Sequence, residues 1–406
     1  NRIDHETFRD CKNLQKIVIP PTITSIGEEA FTGSGIALNE NKWKKGALII
    51  DDCLIATNNE LPAKYVFKNK TPIRLIAERA FANKKNLKSV EIPNTITTIP
   101  TAAFMGCENL TDVVIPATVK TVGNFAFYNC VKLRNAKLPT ELERLGAGVF
   151  YGCENLTDQV LSEKLQSIEK AAFFMCRSIK KITFPARLNR IDDGAFAGCS
   201  SLEAINLPSS LQYLGEQAFA GCAALRRVSI PEGVNSLSKQ VFQGCSHLYR
   251  IDLPEGLYAI GDEALSGCIA LEIINIPKST FRIGVRAFHN CQQLREIRLV
   301  DHIHMIEDGA FMECKLLEEI KLPASLKLLC RAAFAQCISL RKVQLNKNLK
   351  EIDDGAFCQC RSLREVEWND SLRVIGTEAF LECKYLKTPV FDANVEIRKN
   401  AFKGCK

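Results

Sequence analysis

The sequence predicts a repeat solenoid, and three observations support that fold class. Phenylalanines recur every 23 residues from Phe81 to Phe380, with Leu265 as the one substitute in this series. Cysteine follows three residues after most of these phenylalanines, and 15 of the 18 cysteines occupy this slot. Apolar pairs recur at fixed distances in each repeat. A fixed period of about 20–30 residues is typical of solenoids, in which each coil buries its apolar face only against its neighbours.

Each repeat is predicted to contain two short strands and one turn. Residues 87–93 alternate apolar and polar side chains, and Pro93 ends this strand because proline cannot donate to a ladder. Equivalent strands 23 residues apart would stack as a parallel sheet. A second apolar pair, such as Ile96 and Ile99, predicts another strand on the opposite side. The Ala-Phe-x-x-Cys segment predicts a single helical or 3₁₀ turn.

Composition agrees with a folded protein and argues against some classes of function. The chain has 406 residues, of which 46% are apolar and 24% are charged. A net charge of +7 is mild, and we expect no nucleic-acid partner. The longest apolar stretch, Ala47 to Ala56, is interrupted by Asp51 and Asp52. We therefore expect no membrane insertion within this sequence.

One complete repeat carries a family resemblance. Its residues are Ile191-Asp-Asp-Gly-Ala-Phe196-Ala-Gly-Cys199-Ser-Ser-Leu202-Glu-Ala-Ile205-Asn-Leu207-Pro208. This pattern resembles the Treponema-type leucine-rich repeat of BspA-like proteins, and the resemblance covers almost the whole chain. It implies a leucine-rich repeat solenoid, a curved right-handed coil with a parallel β-sheet on one face and short strands and helical or 3₁₀ turns on the other. The resemblance also implies that the protein is secreted or displayed at the cell surface and acts in adhesion and host interaction.

We expect a single solenoid domain over residues 1–406, with about 17 coils and a β-hairpin insertion at about 36–70. The interval from Phe31 to Phe81 is 50 residues, where two regular periods would give 46. Residues 43–57 predict two strands joined by a tight turn at the acidic pair 51–52, and residues 65–67 predict a return to the repeat. Both ends lie within the repeat pattern, so we expect a segment of a longer protein.

Two inward slots hold residues that do not suit a strand core. Gln159 and Pro389 replace the apolar residue nine positions after the repeat phenylalanine. Because the first is polar and the second cannot donate a ladder hydrogen bond, both are predicted to weaken their strands locally.

The cysteine ladder is predicted to consist of buried free thiols. Equivalent Cβ atoms in adjacent coils would lie about 4.8 Å apart, beyond the ~3.5–4.5 Å of a disulfide, and their side chains would point the same way. Cys358 and Cys360 form one local cluster, and His302 and His304 another. Neither has the ligand number of a metal site, so we expect no metal and no cofactor. We also expect no enzymatic activity, because the sequence assembles no nucleophile, base and orienting group.

The candidate site is the outward face of the long parallel sheet. Its outward slots lie seven, eight and ten residues after the repeat phenylalanine. In the central coils these slots hold a basic cluster with one aromatic residue, namely Arg226, Arg227, Tyr249, Arg250, Arg295 and Arg298. A solvated face of mixed charge is the alternative interpretation, because acidic residues such as Glu272 and Glu296 interrupt the cluster.

The predicted function is non-enzymatic binding of a protein or glycan partner through this surface. The family resemblance places the protein at the cell surface or outside the cell. The alternative is an intracellular scaffold or effector module in the cytoplasm, where free thiols are equally normal. We expect a monomer.

Overall fold

The structure, a computed structural model, describes residues 1–67 and 72–406. The fold is a parallel β-solenoid of about 17 turns with almost no helix, which confirms the predicted fold class. The chain divides into two compact units, Asn1–Ser200 and Ser201–Lys406, and each is described by itself. The organisation of all repeats into one domain stays a prediction.

The first unit contains short strands and two short helices in its described residues. They are β1 (Arg2–Ile3), β2 (Ser25–Ile26), α1 (Gly35–Leu38), a 3₁₀ turn (Glu40–Lys42), β3 (Trp43–Lys44), β4 (Ala47–Ile50), β5 (Cys53–Thr57), β6 (Lys64–Val66), β7 (Leu75–Ile76), β8 (Ser89–Glu91), β9 (Thr98–Ile99), β10 (Asp112–Val114), β11 (Thr121–Val122), β12 (Arg144–Leu145), β13 (Gln159–Val160), β14 (Ser167–Ile168), β15 (Ile182–Thr183) and β16 (Arg190–Ile191).

The second unit is built from strands and turns. Its strands are β17 (Tyr213–Leu214), β18 (Arg227–Ser229), β19 (Ser236–Leu237), β20 (Arg250–Asp252), β21 (Ala259–Ile260), β22 (Ile273–Asn275), β23 (Arg282–Ile283), β24 (Glu296–Arg298), β25 (Met305–Ile306), β26 (Glu319–Lys321), β27 (Leu328–Leu329), β28 (Lys342–Gln344), β29 (Glu351–Ile352), β30 (Glu365–Glu367), β31 (Val374–Ile375) and β32 (Glu396–Ile397).

Two parallel ladders run through each unit. The main ladder joins the strands that follow the Leu slot, as where β8 pairs with β10 and Val90 lies opposite Val113. The side ladder joins the second apolar pairs, as where β9 pairs with β11 and Ile99 lies opposite Val122. Central residues of the main strands are buried while their neighbours face solvent or are only half-buried. The predicted inward and outward slots are therefore confirmed.

The turn around each phenylalanine forms a third ladder, which the sequence does not predict. The Phe104 amide donates to the Ala126 carbonyl of the next coil at 2.8 Å, and the Gly106 amide donates to the Tyr128 carbonyl at 2.7 Å. Residues two before and two after the phenylalanine are left-handed, with φ of 52° at Ala102 and 70° at Gly106. Because of these left-handed residues, the predicted helical or 3₁₀ turn contains only isolated i→i−3 hydrogen bonds. We call this feature the turn ladder.

Stacked rings and free thiols fill the core. Phe104 and Phe127 are fully buried, with ring centroids 5.2 Å apart and planes 3° from parallel. The Cys130 thiol donates to the Phe104 carbonyl of the preceding coil at 3.1 Å. All 18 cysteines are free, and those of the ladder are buried except Cys11, which is exposed, and Cys405, which is half-buried. The predicted burial of the ladder thiols is confirmed except at these two end positions, and their reduced state stays a prediction.

The predicted hairpin interrupts the first unit. β4 and β5 pair antiparallel across a tight turn in which Asp51 has a φ of 53°. The sequence predicts one strand from Trp43 to Ile50, but the structure divides it, because left-handed residues at 45 and 46 turn β3 back onto β4. β6 then pairs parallel with β8, as predicted for the return to the repeat. The last predicted residues of the insertion, 68–70, lie outside the described residues.

Candidate binding surface

The structure brings four of the six predicted site residues together on the main ladder of the second unit. β18 pairs in parallel with β20, and Arg227 lies directly opposite Arg250. The Tyr249 amide donates to the Arg226 carbonyl at 3.1 Å, so these two residues are also neighbours across the ladder. Tyr249 is 43% exposed, and the three arginines also face solvent. We call Arg226, Arg227, Tyr249 and Arg250 the arginine patch.

Only one of the three arginines in the patch forms an ion pair with a carboxylate. Arg250 forms an ion pair with Asp252 on its own strand, with the Nε and Oδ1 atoms 2.9 Å apart. Within the described part of the chain, Arg226 and Arg227 have no carboxylate at ion-pair distance. Since exposed ion pairs are weak and easily exchanged, a partner carboxylate or sulfate could compete for Arg250. Arg226 and Arg227 are available without that competition.

The other two predicted residues lie two coils further along. Arg295 directly precedes β24, and Arg298 ends it. The coil between them and Arg250 carries Ile273, which is 58% exposed, so an apolar residue separates the two basic groups. Arg298 is also paired with Glu296 at 2.9 Å. At about 4.8 Å per rung, the two groups are roughly 10 Å apart along the ladder, within reach of one extended ligand.

Two cavities in the first unit were not predicted from the sequence. The first, of about 440 Å³, lies between the Phe31 and Phe81 turns and is also lined by Trp43 of the hairpin. We call it the hairpin pocket. The 50-residue interval between these phenylalanines was a signal that the turn ladder would be interrupted here.

The second cavity, of about 590 Å³, opens in the main sheet between the coils of Ala136 and Gln159. Gln159 is buried, and its amide donates to the Thr157 carbonyl at 3.0 Å. In the described part of the main ladder, the coil of Ala136 has only an isolated bridge, between Asn135 and Asp112. Gln159 nevertheless lies in strand β13, which pairs in parallel with β15, so the predicted weakening is limited to the missing pairing with the coil of Ala136. No strand forms around Pro389, as predicted.

The predicted minor clusters remain separate surface or core features. His302 and His304 are exposed on a turn, where the ring of His304 stacks on Phe281 with centroids 4.7 Å apart. Cys360 is buried in the thiol ladder, and Cys358 is half-buried beside it. Across residues 1–67 and 72–406, no group of three or more His, Cys, Asp or Glu residues is placed to hold a metal ion. In the same ranges, no helix has the length and apolarity that crossing a membrane requires.

The repeat geometry defines a class of protein, the leucine-rich repeat solenoids. The family model described as BspA type leucine rich repeat region matches residues 1–69, 74–199, 167–295 and 282–406. The chain therefore belongs to the BspA-type leucine-rich repeat family, as the resemblance in the sequence indicates. Leucine-rich repeat proteins generally bind proteins, and this family is generally non-catalytic.

Solved bacterial structures agree with this assignment. A leucine-rich repeat protein from Bacteroides ovatus is 30% identical, with a TM-score of 0.64 over 77% of this chain and 92% of that chain. A leucine rich cell surface protein from Faecalibacterium prausnitzii is 25% identical, with a TM-score of 0.54 over 89% of this chain and 97% of that chain. A comparison with the curated proteins gives no match.

Proposed function

We propose that the chain is a non-enzymatic adhesion module, displayed at the cell surface or secreted, that attaches to an acidic protein or glycan partner. The binding role is supported by family membership, since leucine-rich repeat proteins generally bind proteins. The location is supported by the similar structure of a cell surface protein from Faecalibacterium prausnitzii. The adhesion role is supported by the resemblance of the repeats to those of BspA-like proteins.

The observation that carries the proposed site is the arginine patch. Arg226 and Arg227 are neighbours in sequence, and Arg250 lies across the ladder from Arg227, so three guanidinium groups share one small area. Guanidinium groups present paired donors that fit carboxylate and sulfate oxygens. Tyr249 adds a rigid aromatic contact, and Tyr and Arg are the residue types that most often dominate binding energy.

Charge reversal tests the patch. The double variant Arg227→Glu/Arg250→Glu should fold normally, because both side chains face solvent. Its binding to immobilised heparin and to polyglutamate, measured by biolayer interferometry at low salt, should weaken by about tenfold or more. The difference from the parent protein should shrink as salt rises, because screening already removes much of the attraction.

A matched control separates the patch from net charge. Lys384→Glu/Lys387→Glu makes the same change in net charge at exposed positions near the end of the chain. This control should bind nearly as well as the parent. Equal losses in both double variants would show that only net charge matters, and unchanged binding in the patch variant would place the site elsewhere.

The proposed location has its own test. Protease treatment of intact cells that produce the full-length protein should remove the repeats if they are displayed outside. Complete protection in intact cells, with cleavage after lysis, would favour the intracellular scaffold instead.

A further inference from the structure

The hairpin pocket is a break in the turn ladder. In the regular coils of the first unit, the amide of each repeat phenylalanine donates to the next coil, as from Phe8 to Ala30 and from Phe81 to Ala103. After Phe31 the hairpin takes the place of a regular coil. Within the described residues, the amides of Phe31 and Gly33 find no backbone acceptor. These two amides form the donor wall of the pocket.

The opposite wall carries unused acceptors. In a regular coil, the carbonyls three before, one before and one after the phenylalanine accept from the preceding coil, as Ala126 accepts from Phe104. At the Phe81 coil these are the carbonyls of Glu78, Ala80 and Ala82. The Ala80 carbonyl accepts from the Thr57 hydroxyl at 2.7 Å, whereas the other two accept no hydrogen bond from the described residues. Glu78 and Ala82 form the acceptor wall.

The pocket closes at one end and has an apolar floor. The Glu78 amide donates to the Ile26 carbonyl at 3.0 Å, and the side chains of Arg79 and Glu28 form an ion pair at 2.8 Å, so the walls meet there. Beyond this closed end, Trp43 and Leu38 line the pocket, and Leu38 is 61% exposed. An apolar side chain would bury surface against both.

The carboxylates at the rim of the hairpin pocket are already paired with basic side chains, so they do not favour a charged ligand. Glu28 is paired with Arg79, and Glu29 is paired with Arg9 at 2.6 Å. Glu78 lies 3.6 Å from a guanidinium nitrogen of Arg2. Since each acidic group has a basic neighbour, recognition in this pocket must come from backbone hydrogen bonds and apolar contact.

We propose that the hairpin pocket binds a short, extended, uncharged peptide segment of another protein, which completes the interrupted ladder. An extended peptide carries carbonyls and amides on each of its two edges, and unpaired backbone edges are templates for such pairing. One edge would accept from the Phe31 and Gly33 amides, and the other would donate to the Ala82 carbonyl, away from the closed end at Glu78. A volume of about 440 Å³ suits a few residues with one apolar side chain.

Fluorescence of Trp43 reports on occupancy, because this side chain lines the pocket. The chain has two tryptophans, so a Trp368→Phe background leaves Trp43 as the sole reporter. The probe is acetyl-Ser-Ala-Leu-Ala-Ser-amide. We expect a saturable change in emission that is nearly independent of salt. The same peptide N-methylated at its three central residues loses donors on both edges and should bind at least tenfold more weakly.

A filled pocket provides the matched variant. Ala82→Tyr places a large side chain in a slot that holds stacked tyrosines at Tyr128 and Tyr151 in regular coils, so the turn accommodates it. This variant should lose at least tenfold in affinity for the probe. Ala220→Tyr makes the same change in the equivalent slot of the second unit and should bind like the parent.

Hydrogen exchange tests peptide binding in the parent protein, without any substitution. The amides of Phe31 and Gly33 should become protected when the peptide is added, and amides of regular coils should not change.

Absence of saturable binding at about 5 mM peptide, or equal binding by the Ala82→Tyr variant, would overturn the proposal. Protection that appears without peptide as protein concentration rises would also overturn it, in favour of a second copy of the chain. Because the arginine patch predicts salt-sensitive binding, the two proposals can fail separately.

Discussion

The coil of Phe311 and the coil of Phe31 have the same repeat slots but different neighbours. Phe311 stacks on both sides, with Phe288 at 5.1 Å and Phe334 at 5.0 Å between ring centroids. Phe31 stacks on Phe8 at 5.1 Å, and its coil borders the hairpin pocket on the other side. Both side chains are almost fully buried. The comparison shows that burial of a repeat side chain can be kept while ladder hydrogen bonding is lost on one side.

The largest expected effect comes from removing the repeat ring. Phe311→Ala should cost about 3–5 kcal/mol of unfolding free energy, because neighbouring coils on both sides prevent collapse of the cavity. Phe31→Ala should cost about 0.5–1.5 kcal/mol less, since its ring takes part in one stacked pair rather than two. Urea unfolding of each variant measures the difference. Equal costs would show that the hairpin supports Phe31 as well as a regular coil would.

A smaller effect tests the turn that builds the hairpin. Lys45 and Gly46 have φ of 49° and 73°, as a two-residue hairpin turn with two left-handed residues requires. A Cβ at Gly46 would collide with the backbone nitrogen of Leu61, so Gly46→Ala should cost more than about 2 kcal/mol. Gly267 in a regular turn has a φ of 75°, but a Cβ there would meet nothing closer than 3.5 Å.

Gly267→Ala should therefore cost only about 1 kcal/mol, the price of the left-handed conformation alone. Thermal unfolding of the two variants gives the comparison. A larger loss at Gly267 than at Gly46 would contradict the packing of the hairpin against residues 60 and 61.

The last expected effect concerns the ladder thiols, which are missing from the repeat slot of the two coils that flank the hairpin. Ser34 and Lys84 occupy the cysteine slot on either side of the hairpin, whereas regular coils carry buried cysteines. Burial raises the pKa of Cys291 from 9.0 to about 12. Because the folded state holds the proton more tightly, the stabilisation is fully present below pH 9 and is lost between pH 9 and about 12.

Each such thiol should lower stability by up to about 1.4 kcal/mol per pH unit in this window. In Cys291→Ala, the slope of unfolding free energy against pH above 9 should decrease by up to that amount. The same substitution at Ser34, which occupies the cysteine slot without a thiol, should leave the slope unchanged. Urea titrations at several alkaline pH values provide the measurement, and equal slopes in both variants would contradict burial as the cause.

The features predicted correctly from the sequence are those that depend on the type of side chain at a repeat position. Apolar slots such as Val228 and Ile251 determine which residues face inward, and the uniform spacing of the cysteines argues against disulfides between adjacent coils. The hairpin was predicted in outline because Asp51 and Asp52 separate two apolar runs. Its first strand was predicted too long, because the lysines before Gly46 do not identify a second turn.

The turn ladder and the cavities depend on backbone conformation rather than on side-chain type. Left-handed positions hold residues as different as Glu263, Arg286 and Ala332, so composition gives little sign of them. The arginine patch was predicted by slot counting, but its charge balance was not, because the pairing of Arg250 with Asp252 depends on side-chain geometry. The two cavities described above lie where two turns or two strands are not paired.

The turn ladder has a single direction, so the peptide dipoles within this ladder all point the same way. In every regular rung the amides point to the following coil and the carbonyls to the preceding one, as between Phe311 and Ala333 or Phe334 and Ala356. Aligned peptide dipoles add, as they do along an α-helix. The summed dipole of the turn ladder is opposite in direction to that of an α-helix. Partial negative charge collects toward earlier coils, and partial positive charge collects toward later ones. The hairpin therefore divides one row of dipoles in the first unit into two shorter rows, and it exposes a positive face at Phe31 opposite a negative face at Ala82.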